Sequence, residues 1–220
     1  MPIIKIKKTK DYIYGLWKIE ETINELLSKL SPNKFEKKQL GKISHLQRKK
    51  QSISAKLILN ELLQKKITIL YEKQIPYCEE YSNISISHSD KYSVVLISKN
   101  KIGIDLQKEE KKIKKIKAKF LHEKEKNVKY SLKELHYIWT SKEAIYKTLN
   151  GKICSFKENI FLSKNMKNGY YINKYKKVEF DLEIKKMKKL YLTIAKQKNE
   201  KTEFHYNINY SSSINISHFM

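Results

Sequence analysis

Apolar and lysine positions alternate from Ile3 to Ile6, and a second strand-like run covers Tyr12 to Ile19. A helix is expected over 21–30. Ser31-Pro32 then reads as an N-cap with proline at the first helical position, opening a short helix to about Leu40. Leu46, Ile53, Leu57, Ile58, Leu62 and Leu63 follow helical spacing, which predicts one long amphipathic helix over 44–65 with a lysine-rich outer face, and Pro76 bars its continuation. Three compact strands are expected next, at Asn83 to Ser87, Tyr92 to Ile97 and Lys101 to Leu106. Their links, Asp90-Lys91 and Lys99-Asn100, are short and turn-forming, so the expectation is an antiparallel meander. Lys-Glu-rich helical sequence runs to about Glu125, and a second helix over 131–149 is stopped by Asn150-Gly151. The tail returns to strands, clearest at Val178 to Ile184 and Leu190 to Ala195.

Helices followed by strands thus occur twice. The order predicts an α+β protein of two similar halves, 1–100 and 101–220, related by a pseudo-twofold duplication. Each half is expected to be an antiparallel meander packed with helices. Gly103 to Gln107 would lie at their junction, with the active site in the cleft between them. Two halves in one chain would complete a site without a second copy, so a monomer is expected.

Composition narrows the class. A hydrophobic share of 40% and an aromatic share of 11% across 220 residues suffice for a real core and argue against a disordered linker protein. No stretch reaches the roughly 18 consecutive apolar residues of a membrane helix, and the lysine-rich start, Met1 to Asp11, has no apolar run behind it, so a cytoplasmic protein is expected. Cys78 and Cys154 are too few for a disulfide framework or a zinc cluster and read as reduced structural thiols. The net charge of +24 draws polyanions. Its excess is nearly all lysine with Ile, Asn and Tyr abundant, as an AT-rich coding sequence produces, and Arg48 is the single arginine. Sequence-specific DNA reading is therefore disfavoured, because bidentate guanine contacts are made mainly by arginine.

Two separated segments carry the chemistry. Gly103-Ile104-Asp105-Leu106-Gln107 reads as a strand with Asp105 and Gln107 on one face. In Trp139 to Lys147, the residues Trp139, Glu143 and Lys147 recur every fourth position, so one helix face carries a ring, a carboxylate and an ammonium. Taken singly these are ordinary: a solvated polar pair, a surface ion pair worth roughly 0.3–0.5 kcal/mol, a core tryptophan. Brought together, Asp105 and Glu143 would offer hard oxygens to magnesium and Lys147 would meet a phosphate, the outline of a phosphoryl-transfer site. Ser85, Ser87, His88 and Ser89 add hydroxyls and an imidazole at the end of another strand.

Ser87-His88-Ser89, Gly103-Ile104-Asp105 and Trp139-x-x-Lys142-Glu143-Ala144-x-x-Lys147 match, in order and spacing, the three signature segments of the 4′-phosphopantetheinyl transferases. The chain resembles the larger, two-halved class, clearly from about Lys49 to Gly151 and thinly at both ends. The resemblance implies transfer of the phosphopantetheine arm of coenzyme A to a serine of an acidic apo acyl or peptidyl carrier protein, with release of adenosine 3′,5′-bisphosphate, as in fatty acid biosynthesis. It implies magnesium held by Asp105, Glu143 and Gln107, and catalysis by Glu143, Lys147 and Asp105. Glu143 would take the serine proton and Lys147 would stabilise or protonate the leaving group. Coenzyme A would be bound by Ser87, His88, Lys142, Lys147, Arg48, Lys49 and Lys73, and Glu125 aligns with an acidic position beside the site.

Three departures stand out. Gln107 replaces the second acid of many relatives and brings no charge to the metal. Gln74-Ile75-Pro76 stands where a Gly-Lys-Pro-like stretch supplies a phosphate-binding lysine, so that contact is either lost or moved to Lys73. The usual helix arginine falls near Gln51, leaving Arg48, Lys49, Lys50 and Lys56 as stand-ins. The lysine-rich run 108–119 is a candidate docking surface for the acidic carrier. Two other readings compete: a nonspecific nucleic-acid binder using the lysine surface, and a degenerate homologue that docks carriers without chemistry. No membrane partner is expected.

Overall fold

A computed structural model describes residues 3–78, 81, 83–153 and 155–198. Cys154 lies outside the described residues. The chain is mixed α+β with antiparallel sheets and divides into two compact units, Met1–Asn100 with Ile104–Lys108, and Lys101–Gly103 with Glu109–Met220.

The first unit begins with strands β1 (Ile3–Lys8) and β2 (Tyr12–Lys18) and three helices, α1 (Ile23–Leu30), α2 (Lys34–Gly41) and α3 (Leu46–Leu63). Helix α2 does not start at Ser31-Pro32. Ser31 closes α1 in the left-handed conformation, and Asn33 caps α2 through a reciprocal bond with Glu36. An Asx side chain with glutamate three residues on satisfies two amides, which outcompetes the proline signal. Short strands β3 (Leu70–Glu72) and β4 (Ile75–Tyr77) follow, so Pro76 lies in a strand. Next come β5 (Asn83–Ser89), β6 (Tyr92–Ser98) and β7 (Ile102–Lys108). The main sheet is ordered β1-β2-β6-β5, all antiparallel. The three-strand meander is therefore corrected: β5 and β6 form the expected hairpin, but β7 does not pair with β6 and belongs to another sheet. β2 takes the edge of β6 that a meander would give to β7.

The core of this unit places Trp17, Ile84, Val95 and Ile97 of the sheet against Ile53, Ile58 and Leu59 of α3 and Leu26 and Leu30 of α1. The amphipathic reading of α3 holds inside but not at its start, because Leu46 is exposed. Lys56 faces inward, where its Nζ lies 3.4 Å from Glu36 Oε1 and 3.2 Å from Gln39 Oε1. Burial lowers the Lys56 pKa, and Glu36 opposes that shift. Lys56 is thus wholly buried and bonded inside the first unit.

In the second unit the lysine-rich stretch is broken, as α4 (Ile113–Ile116), a 3-10 turn (Lys117–Lys119) and α5 (Glu123–Lys126), before α6 (Leu132–Thr148) and α7 (Phe156–Asn159). Ser131 and Glu134 form a capping box at the start of α6, and Asn150 and Gly151, both at positive φ, follow its end. Strands β8 (Ile160–Leu162), β9 (Asn168–Ile172), β10 (Lys177–Met187) and β11 (Leu190–Gln197) run as a meander, in a sheet ordered β7-β11-β10-β9-β8. The expected return to strands named only the last two; at three and five residues the first two are too short for a periodicity to declare itself. Leu135, Ile138, Ala144 and Ile145 of α6 pack with Ile160, Leu162, Tyr171, Val178, Phe180 and Ala195 of the sheet. Among the described residues, no helix is long and apolar enough to cross a membrane.

Two threonines of α6 reach β11: Thr140 Oγ1 lies 2.7 Å from Thr193 Oγ1, and Thr148 Oγ1 donates to Ala195 O at 3.1 Å. Between them Ser141 is wholly buried, and its hydroxyl has no hydrogen-bond partner among the described residues. An unpaired buried hydroxyl carries a desolvation cost with no return. Ser141→Ala is therefore expected to leave stability unchanged or raise it by up to about 1 kcal/mol, read from the midpoint of denaturant unfolding.

Candidate functional site

Alternation on β5 places Ser85, Ser87 and Ser89 on one face, and alternation on β7 directs the amides of Ile104, Leu106 and Lys108 to one edge. The two rows meet. Ile104 N donates to Ser85 Oγ at 2.9 Å, Leu106 N to Ser87 Oγ at 3.1 Å, and Lys108 N to Ser89 Oγ at 2.9 Å. Side-chain hydroxyls thus supply the acceptors that a neighbouring strand would otherwise provide. All three serines are buried.

The middle serine does more. Ser87 Oγ donates to Asp105 Oδ1 at 2.7 Å, so the carboxylate, only 5% exposed, is aimed by a hydroxyl that is itself fixed by Leu106 N. Ser87 therefore holds Asp105, and its one proton is already committed. Gln107 Nε2 donates to Lys108 O at 3.2 Å, and its amide oxygen makes no hydrogen bond among the described residues. Lys108 reaches Asp90 Oδ2 at 2.6 Å, in the turn after Ser89.

That turn is gripped from α3. Gln47 Nε2 and Gln51 Nε2 both donate to Asp90 O at 2.8 Å, and Asp90 itself adopts φ 52°. The glutamine that replaces the expected arginine thus fixes the end of the Ser-His-Ser segment. Arg48, one turn earlier on α3, donates through Nη1 to His88 Nε2. The half-buried side chain of Lys49 makes no hydrogen bond or ion pair among the described residues, whereas Lys50 Nζ donates to Glu21 O at 2.6 Å. Lys73 is exposed and, with Gln74, forms the two-residue turn between β3 and β4, both at positive φ as such turns demand.

In the second unit Glu143 and Lys147 lie on α6, each half-buried and each with interactions to its surroundings. Trp139 is partly buried and packs against the core: its ring sits edge-on to Phe120 at 5.3 Å and stacks on Phe156 at 6.0 Å. Lys142 is wholly buried, donating to Phe120 O at 2.6 Å and to Glu125 Oε2 at 3.2 Å. Burial lowers its pKa, and Glu125 opposes that shift. Glu125 also accepts from His122 N at 2.7 Å, closing the cap of α5. Lys142 therefore supports Glu125 and the chain entering α5.

Gly103 allows the closest approach in this unit. A Cβ there would lie 2.2 Å from Ala144 O and 2.7 Å from Thr148 N, so only glycine lets the start of β7 run along α6. Ala144 directly follows Glu143.

Among the described residues, no three His, Cys, Asp or Glu side chains cluster as a metal set. The donors named for magnesium are two carboxylates and an amide oxygen, hard ligands that suit the ion in kind, and Ser87 orients one of them as an outer partner does. No model of a known protein family matches the chain, and no curated protein matches it either.

The serine row was open to sequence reading, since Ser85, Ser87 and Ser89 alternate, yet the hydroxyls were assigned outward to phosphates. The grip of Gln47 and Gln51 on Asp90, and of Lys142 on Glu125, had no local signal because each bridges distant segments.

Ser87→Ala removes the donor to Asp105 and the acceptor for Leu106 N, both buried, and is expected to cost about 1–3 kcal/mol in a denaturant titration, with Ser87→Thr nearer the wild type. Tyr130, whose phenol is pushed up to about 12 by burial and by Glu125 and Glu134, supplies a pH prediction. Between pH 10 and 12 the unfolded chain loses this proton while the folded chain keeps it, so stability falls with rising pH. Tyr130→Phe is expected to flatten that fall in melts taken across the interval.

Proposed function

We propose that the protein is a magnesium-dependent 4′-phosphopantetheinyl transferase that loads an apo acyl or peptidyl carrier protein from coenzyme A. The observation that carries the reading is the hydrogen bond from Ser87 to Asp105, which ties two of the three signature segments together across 18 residues of sequence. The close approach of Gly103, the first residue of the second segment, to Ala144 of the third supports it. A pseudo-twofold duplication is part of the proposal, with the reaction drawing residues from both halves. It is supported by a shared order: a strand (β2, β7), then helices, then a hairpin (β5–β6, β10–β11) whose second strand lies beside that earlier strand, β6 beside β2 and β11 beside β7.

In this reading Asp105, Glu143 and the amide oxygen of Gln107 hold the ion. Magnesium, when bound, would offset charge on the diphosphate being cleaved. Ser87 keeps Asp105 in one orientation, so little rearrangement is needed on binding. Glu143 accepts the proton of the incoming serine, whose oxygen attacks the phosphorus bearing the pantetheine arm. The bond from that phosphorus to the bridging oxygen breaks, and Lys147 stabilises or protonates the departing adenosine 3′,5′-bisphosphate. His88, Arg48, Lys49 and Lys73 would bind phosphate oxygens of coenzyme A, and Lys142, being buried, acts through Glu125. The exposed lysines Lys111, Lys112, Lys114, Lys115, Lys117 and Lys119 would steer an acidic carrier in, an attraction that weakens with salt.

The test is the mass of an apo carrier protein before and after incubation with coenzyme A and magnesium. A phosphopantetheine adduct is expected, lowered by about a hundredfold or more in Asp105→Ala and Glu143→Gln with melting curves preserved. Full labelling in either variant, or in excess chelator, would remove the assignment. Metal-dependent coenzyme A binding without transfer would point to a docking homologue instead.

A further inference from the structure

The start of the lysine-rich segment is held by a histidine that the transfer chemistry does not use. His136, on α6, is wholly buried. Its Nδ1 lies 2.7 Å from Leu132 O, and because a carbonyl only accepts, Nδ1 carries the proton. Nε2 is then a bare acceptor, and Glu110 N donates to it at 3.1 Å. Both partners act in one direction only, so the tautomer is determined by the backbone.

The neighbouring residue is held by two other elements. Glu109 N donates to Lys189 O at 2.7 Å, and the Glu109 carboxylate accepts from Tyr191 Oη at 2.5 Å, with Lys186 Nζ 3.3 Å away. The Tyr191 ring stacks on His136 at 4.5 Å and 17°. The hydroxyl and ammonium hold the Glu109 carboxyl below the usual carboxylate range. Residues 109 and 110, where the chain leaves β7, are thereby fastened to α6, to the β10–β11 turn and to β11. Glu143 follows His136 by seven residues, almost two helical turns, on the same side of α6.

We propose that His136, as the Nδ1–H tautomer, is a positioning residue that sets the course of the chain three residues beyond Gln107. One helix would then govern both Glu143 and the exit of the strand bearing Asp105 and Gln107. The consequence for metal affinity rests on the transferase reading; the hold on Glu110 does not.

The experiment compares the full chain with His136→Phe, which keeps a ring against Tyr191 but has no acceptor, and His136→Gln, whose Oε1 can accept from Glu110 N. Ring nitrogen resonances of the wild type should report a protonated Nδ1 and a bare Nε2. Hydrogen exchange at the Glu110 amide should quicken by about tenfold in His136→Phe, the weight of one hydrogen bond, and recover partly in His136→Gln. In the transfer assay, the magnesium concentration for half-maximal rate should rise several-fold in His136→Phe and return toward the wild-type value in His136→Gln, with little change in the rate at saturating metal. A protonated Nε2, or unchanged Glu110 exchange in His136→Phe, would overturn the proposal. So would altered exchange in His136→Phe with an unchanged magnesium requirement, as regards metal affinity. A wild-type protein that transfers nothing while Glu110 exchange still responds would defeat the transferase reading and leave the positioning role standing.

Discussion

A β-strand needs acceptors for the amides along each of its edges, and in β7 the amides of residues 104, 106 and 108 find them in the hydroxyls of Ser85, Ser87 and Ser89. A backbone carbonyl in that position would have ended the interaction at the amide. A hydroxyl accepts and also donates, so Ser87 passes the bond on to Asp105. The geometry of a buried carboxylate is thereby tied to the register of the strand that carries it. A slip by one residue would move each amide off its serine and turn Asp105 to the opposite face. The three serines thus act as a register lock for the acid at the centre of the proposed chemistry.

Among the described residues, each unit also contains one buried ammonium. Lys56 meets Glu36 and Gln39, and Lys142 meets Glu125 and Phe120 O. Such pairs seldom add stability over apolar residues of the same size, since desolvation of two ions cancels most of their attraction. What they add is direction. Glu36 and Glu125 both close capping boxes, so each lysine is linked to the start of a helix. An ammonium missing from either pair would leave a buried carboxylate partly uncompensated beside an N-terminus, which is a reason for the sequence to keep a charge where a leucine would pack.

What was legible in the chain follows the range over which each signal acts. The start of α6 near Ser131 and its stop at Asn150-Gly151, and the β5–β6 hairpin through Asp90-Lys91, were legible because the residues that form them lie within a few positions. The partner of β7 was not, since adjacency along the chain favoured β6 whereas the pairing made is with β11, more than eighty residues away. Asp105 could be picked out as a strand acid, but the role of Ser87 could not, because a serine at a strand end looks the same whether it faces a phosphate or a neighbouring amide. Lys142 misled for a similar reason: helical spacing gives the direction of a side chain and says nothing of Phe120 O waiting above it. Gln51 looked like a lost arginine and is a grip on Asp90.

The neutral Gln107 takes on a different meaning beside a ligand of high negative charge. Two carboxylates balance a divalent cation, and a third would leave the assembled centre anionic where a diphosphate must approach. In the proposed site, the amide of Gln107 beside Asp105 and Glu143 would weaken the hold on the ion and remove one like-charge repulsion against the phosphates. In the proposed transferase, the net charge of +24 would already offer the phosphates an attractive field, so the metal would be needed less tightly before coenzyme A arrives and more tightly after. An ion recruited together with the nucleotide, instead of ahead of it, is the order of assembly that the proposed donor set would favour.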